Sequence, residues 1–186
     1  MRKFIVISIV LLMLAGFAIT SSANGVTLLA GQDINVGNLT VVVDGADLVV
    51  TYTITDPEWE LLETHLYVGK TNPEDLTSAP GQFPYSEEHD LVVPTFTYII
   101  PISEIDSYSL KGGKKWVADE SFGVELGDVI YIAAQAEIGM IDEDGEPVLD
   151  DLDPLIGEQI EETAWAEGEQ IREGKNWAMY FTFTVE

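Results

Sequence analysis

The chain has no cysteine among its 186 residues, so no disulfide can restrain its unfolded state, and packing, hydrogen bonds and any bound ion must hold the fold. The same absence rules out a lipid anchor on a cysteine after the N-terminal segment. Histidine is nearly as scarce, with two in the chain, so a Ser-His-Asp hydrolase would have to use His65 or His89. Neither lies near a Gly-x-Ser-x-Gly nucleophile turn. Basic residues are few as well: 8 Lys and Arg stand against 33 Asp and Glu. A surface with that balance repels nucleic acid and anionic lipid and attracts cations. It also keeps a protein soluble, in a salty medium above all.

One apolar run is long, and it lies at the start. Met1-Arg2-Lys3, the run from Phe4 to Ala18, and the small residues Ile19-Thr20-Ser21-Ser22-Ala23 follow the order of a secretory signal, with cleavage expected after Ala23. The run is shorter than the ~20 residues a membrane-crossing helix needs. The expected mature chain, residues 24–186, is one domain without a membrane span. Losing Arg2 and Lys3 leaves 6 basic against 33 acidic residues, a formal charge of −27. With 46% of the residues hydrophobic, disorder does not explain the acidity.

Within the mature chain the period is two. Leu48, Val50, Tyr52 and Ile54 share one face and Val49, Thr51, Thr53 and Thr55 the other. The run Leu39 to Val43 precedes them across Asp44-Gly45-Ala46-Asp47, which predicts a β-hairpin. Further strands are expected from Leu61 to Val68, Thr95 to Ile102, Asp128 to Ile138 and Trp177 to Val185, with a weaker one from Val26 to Leu29. The connections Lys70 to Asp90, Ile105 to Gly127 and Met140 to Asn176 are long, the last with room for a short helix around Leu155 to Trp165. The fold class is therefore all-β, and the expected architecture is an antiparallel β-sandwich of about seven strands, of Ig-like or Greek-key type.

Three groups of residues could carry chemistry. Asp142, Asp144, Asp150, Asp151 and Asp153 cluster around a glycine turn, as oxygen ligands for Ca²⁺ do, although the EF-hand register fails. The alternative is a hairpin tip at Asp144-Gly145 flanked by solvated acids. Glu63 and His65 share a strand face, as do Gln135 and Glu137. If their strands are neighbours, the four make a polar patch able to hold Zn²⁺ or a ligand hydroxyl; otherwise His65 is a plain surface or structural histidine. His89, between Glu88 and Asp90, reads as a solvated loop residue whose acidic neighbours favour its charged form. Trp116, after Lys114-Lys115, is the best candidate for an exposed ring that stacks on a sugar, against a loop pinned by one buried ring. Asn38-Leu39-Thr40 matches the N-glycosylation sequon.

The segments Glu63-Thr64-His65-Leu66-Tyr67-Val68-Gly69, Pro80-Gly81-Gln82-Phe83-Pro84-Tyr85, Tyr131-Ile132-Ala133-Ala134-Gln135-Ala136, Glu162-Thr163-Ala164-Trp165-Ala166 and Asn176-Trp177-Ala178-Met179-Tyr180-Phe181 resemble an uncharacterised family of secreted or cell-surface β-domains of archaea and bacteria. The resemblance runs from Val36 to Val185. It implies an extracellular module and no particular activity; where this chain has Gln135 the family commonly has histidine, which weighs against a histidine-based metal role. The expected function is thus a non-catalytic secreted module that binds an extracellular protein or glycan. The competing expectations are a Ca²⁺-stabilised glycan-binding module and a secreted hydrolase.

Overall fold

The computed structural model describes residues 24–76, 78–111, 115–119, 123–150, 157–174 and 176–186. The expected signal segment lies outside them, as do Asp151 and Asp153 of the calcium reading. Twelve strands run through the described residues: β1 Asn24–Ala30, β2 Ile34–Asp44, β3 Asp47–Ile54, β4 Trp59–Gly69, β5 Tyr85–Val93, β6 Thr95–Pro101, β7 Tyr108–Lys111, β8 Lys115–Ala118, β9 Val129–Met140, β10 Glu161–Ala166, β11 Glu169–Gln170 and β12 Met179–Thr184. The remaining regular structure consists of single 3₁₀ turns at Pro73–Asp75, Pro80–Gln82 and Ile102–Glu104. No described helix is long and apolar enough to cross a membrane.

The β2–β3 hairpin forms where the sequence places it. Asp44 pairs with Asp47, and Gly45 takes the positive φ of 64° that the tight turn demands. Alternation on β3 sends Leu48, Val50, Tyr52 and Ile54 into the core. A second glycine is forced by close approach: a Cβ on Gly37 of β2 would run into the carbonyl oxygen of Thr53.

Ten of the strands belong to one antiparallel sheet. Its main path runs β5-β4-β9-β10-β1-β2-β3-β6, and β9 is the hub. One edge of β9 pairs with β4 along nearly its whole length. The other edge is divided, Val129–Ile132 pairing with β12 and Gln135–Gly139 with β10. β11 extends β12, and β7 with β8 forms a separate hairpin.

The sheet curls into a half-barrel and brings its two ends, β5 and β6, together through side chains. The ring centroids of His89 and Phe96 are 4.7 Å apart and those of Tyr85 and Tyr98 6.2 Å. Tyr98 donates to the Thr64 carbonyl at 3.1 Å, and Tyr52 crosses the interior to donate to the His65 carbonyl at 2.9 Å. The enclosed core includes Leu28, Leu39, Val41, Val50, Leu61, Leu66, Ile132 and Ile138. A second cluster on the outer face, with Tyr67, Leu76, Phe83, Ala133, Trp165, Ile171 and Tyr180, is sealed by the segments that follow β4 and β10.

The all-β, antiparallel class is as expected; the two-sheet sandwich of about seven strands is not what forms. Long, twisted strands with bulges at Leu28/Leu29 and Leu61/Glu63 coil one sheet until it covers its own inner face. Alternation tells which side chains share a face, and it is blind to whether the opposing layer belongs to a second sheet. The helix expected around Leu155 to Trp165 is replaced over 161–166 by β10, whose partners β1 and β9 override local preference. β5 lies in a stretch read as a connection, because Ser86, Glu87 and Glu88 face water and leave no apolar alternation to read.

Candidate functional site

β4 and β9 are neighbours, and their register sets Glu63 opposite Glu137 and His65 opposite Gln135. All four therefore share the outer face of the sheet, the arrangement on which the polar-patch expectation depended. The face closes along β4: Glu63 keeps 28% of its side chain exposed, His65 as a residue is 6% exposed, and Tyr67 is fully buried. His65 is thus a buried histidine at the margin of the outer cluster, and not a surface one.

Its Nε2 lies 3.0 Å from Glu63 Oε1. One ligating atom each from Glu63, His65 and Glu137 falls within 4.8 Å of the others, a grouping that no other described residues make. Two buried polar atoms beside it have no hydrogen-bond partner, His65 Nδ1 and Gln135 Oε1. Desolvation first, and the neighbouring Glu63 carboxylate second, hold the Glu137 carboxyl above its ordinary pKa. Glu137 also lines a depression of about 270 Å³ with Glu161, Glu162 and Thr163, so the group opens to solvent on that side.

A second concave region lies around β12. Asn72, Tyr131, Gly168, Glu169, Tyr180, Phe181 and Thr182 line a cleft of about 470 Å³. The Tyr131 and Tyr180 rings are 6.0 Å apart. The Tyr180 hydroxyl lies 3.0 Å from Glu169 Oε2 and 3.1 Å from Glu74 Oε1. Burial first and the Glu169 hydrogen bond second push its pKa up to about 12, so it stays a neutral donor. Sequence reasoning passed over this cleft. Tyr131 and Tyr180 read there as ordinary strand residues, and only the pairing of β12 with β9 sets them side by side.

The other sequence candidates are scattered. Asp142 Oδ1 accepts from the amides of Asp144 and Glu146, each at 2.9 Å, and closes the turn whose Gly145 has φ 80°. Asp142 and Asp144 are exposed at this tip, and Asp150 follows on the return limb, where its amide donates to the Glu158 carbonyl. Trp116 sits on β8 opposite Leu110, with its side chain outside the described part. His89 is no loop residue: it belongs to β5, its ring lies against Phe96, and its Nε2 is 3.3 Å from Thr64 Oγ1. Desolvation outweighs Glu87 and Glu63 and lowers its pKa, so burial favours the neutral form, against the sequence expectation. Trp165 is buried in the outer cluster and Trp59 in the inner core.

No protein-family model, no curated protein and no solved structure matches this chain, so its own geometry carries the reading of its function.

Proposed function

We propose that this protein is a non-catalytic module of the cell exterior that binds a glycan in the cleft around Tyr131 and Tyr180. The cleft is the observation that carries the reading. Its volume of about 470 Å³ suits a small ligand, and it combines the partly exposed Tyr131 ring, backed by the buried Tyr180, with an amide, a carboxylate and a hydroxyl from Asn72, Glu169 and Thr182. Sugar rings present apolar faces to such a ring and hydroxyls to such polar groups.

Binding is favoured over a serine- or threonine-type hydrolysis by the surroundings of His89. The hydroxyl in contact with His89 is that of Thr64, which is fully buried and also bonded to Tyr98. A nucleophile sealed from solvent cannot meet a substrate. The leader-like N-terminus supports an exterior location, as does the excess of carboxylates, which keeps the chain soluble and repels nucleic acid.

The test is a glycan array probed with the protein, followed by titration of any hit against Tyr131→Ala. A glycan bound without turnover and lost in Tyr131→Ala is the expected result. Hydrolysis of a glycan or ester, or binding untouched by the substitution, would overturn the reading. N-terminal sequencing of protein from the culture medium should begin at Asn24.

A further inference from the structure

The group formed by Glu63, His65 and Glu137 is built on the two longest mutually paired strands of the sheet, just past the bulge at Leu61/Glu63, where the regular pairing from Glu63 to Gly69 with Glu137 to Tyr131 sets its backbone. Glu63 and Glu137 stand directly opposite each other. Two like charges in that position repel, and nothing basic in the described surroundings separates them except the His65 imidazole. Beside them are two orphaned polar atoms, Nδ1 of His65 and Oε1 of Gln135. Both residues are more than nine-tenths buried, and they face each other across the strand pair. Orphaned atoms of this kind call for an explanation.

We infer that Glu63, His65 and Glu137 form a binding site for one first-row divalent transition metal, with Zn²⁺ as its representative. One imidazole nitrogen and two carboxylate oxygens suit zinc and its neighbours, whereas a calcium site is built from oxygen alone. Donors spaced within 4.8 Å need only small side-chain rotations to reach the ~3.3 Å separation of tetrahedral ligands with bonds of about 2.0 Å. The dication neutralises the two opposed carboxylates. With Nε2 on the metal, Nδ1 carries the hydrogen, and a rotation of the facing Gln135 side chain would bring Oε1 to accept it. That bond would satisfy both orphans, fix the tautomer and orient the ring, as the outer partner of a metal-bound histidine does. The depression beside Glu137 gives the ion its way in and leaves a coordination position for water.

The experiment is calorimetric titration of the purified, chelator-treated protein with Zn²⁺, and in parallel with Ca²⁺, together with thermal unfolding in each ion. The expected result is one Zn²⁺ per chain and, at free metal about 100-fold above Kd, a rise in Tm of about 5 °C or more. Glu137→Gln should remove the Zn²⁺-induced rise and weaken binding at least ~100-fold. Gln135→Leu should weaken binding by roughly 10- to 100-fold, as loss of an outer partner does. Asp33→Asn, on an exposed turn, should bind as the parent does. Absence of Zn²⁺ binding, binding retained in Glu137→Gln, or an equal response to Ca²⁺ would overturn the site. Glu137 is partly exposed and its substitution is isosteric, so the Glu137→Gln protein remains folded for the comparison.

Discussion

Glu137 illustrates how a single residue links the sheet to solution conditions. Its carboxyl is held above the ordinary value by desolvation and by Glu63, so folding favours its protonated form. A carboxyl raised in the folded state costs stability wherever it must ionise, at neutral pH, and that cost disappears as pH falls below its unfolded value near ~4. With chelator present, Glu137→Gln should therefore melt above the parent at pH 7, and the gap should close on acidification. Parallel melts between pH 7 and pH 3.5 measure this. A lower Tm for the variant at pH 7 would contradict it. His89 has the opposite sign of dependence: its lowered pKa means that stability is lost as pH falls through its unfolded value near ~6.5. That Glu63 and His65 share a face was legible from their spacing alone. That His65 is buried was not, because its cover is supplied by residues distant in sequence.

Among the elements, β4 is the most heavily tied. It pairs with β5 on one edge and β9 on the other, and two tyrosines from β3 and β6 reach through the interior to its backbone. Tyr52 is fully buried, and burial raises its pKa well above the ordinary value, so its hydroxyl is a permanent donor to the His65 carbonyl. Replacing it by phenylalanine keeps the ring and its edge contact with Tyr98 and deletes the donor. The expected cost is about 1–2 kcal/mol in a denaturant melt at constant m-value. A neutral effect would show that the hydroxyl does not tie β3 to β4. Strand positions for β3 and β6 were legible because half-buried strands alternate, and those of β4 and β9 from their runs of strand-forming residues, although both of their faces are largely buried. β5, β7, β8, β10 and β11 lie in stretches read as connections, since solvated or very short strands and one whose partners dictate its state carry no such pattern.

The whole molecule carries far more carboxylates than bases, and the curled sheet spreads them over a small surface. Self-repulsion then opposes the compact state, and counterions relieve it within a Debye length that shrinks from ~30 Å at 0.01 M to ~8 Å at 0.15 M salt. The Tm should rise as NaCl is increased from 10 mM to 0.5 M at pH 7, most steeply at the low end. A Tm independent of salt would mean that the acids are spaced widely enough not to interact. The curl of the sheet is also a whole-molecule property: β5 and β6, consecutive in the chain, pair with β4 and β3 at opposite ends of the strand order, and their rings meet across His89 and Phe96 and across Tyr85 and Tyr98.

From the amino-acid order alone came the all-β class, the β2–β3 turn, the inward face of each alternating strand, and the placing of Glu63 with His65 and of Gln135 with Glu137 on strand faces. These depend on local geometry, a two-residue repeat and a turn that needs a positive φ. Tertiary structure alone decided that β4 lies against β9 in the register that sets Glu63, His65, Gln135 and Glu137 together on one face, that β12 brings Tyr180 to Tyr131, and that one curled sheet replaces two stacked ones. Register and curvature are set by contacts between segments far apart in the chain, and neighbouring residues carry no record of them.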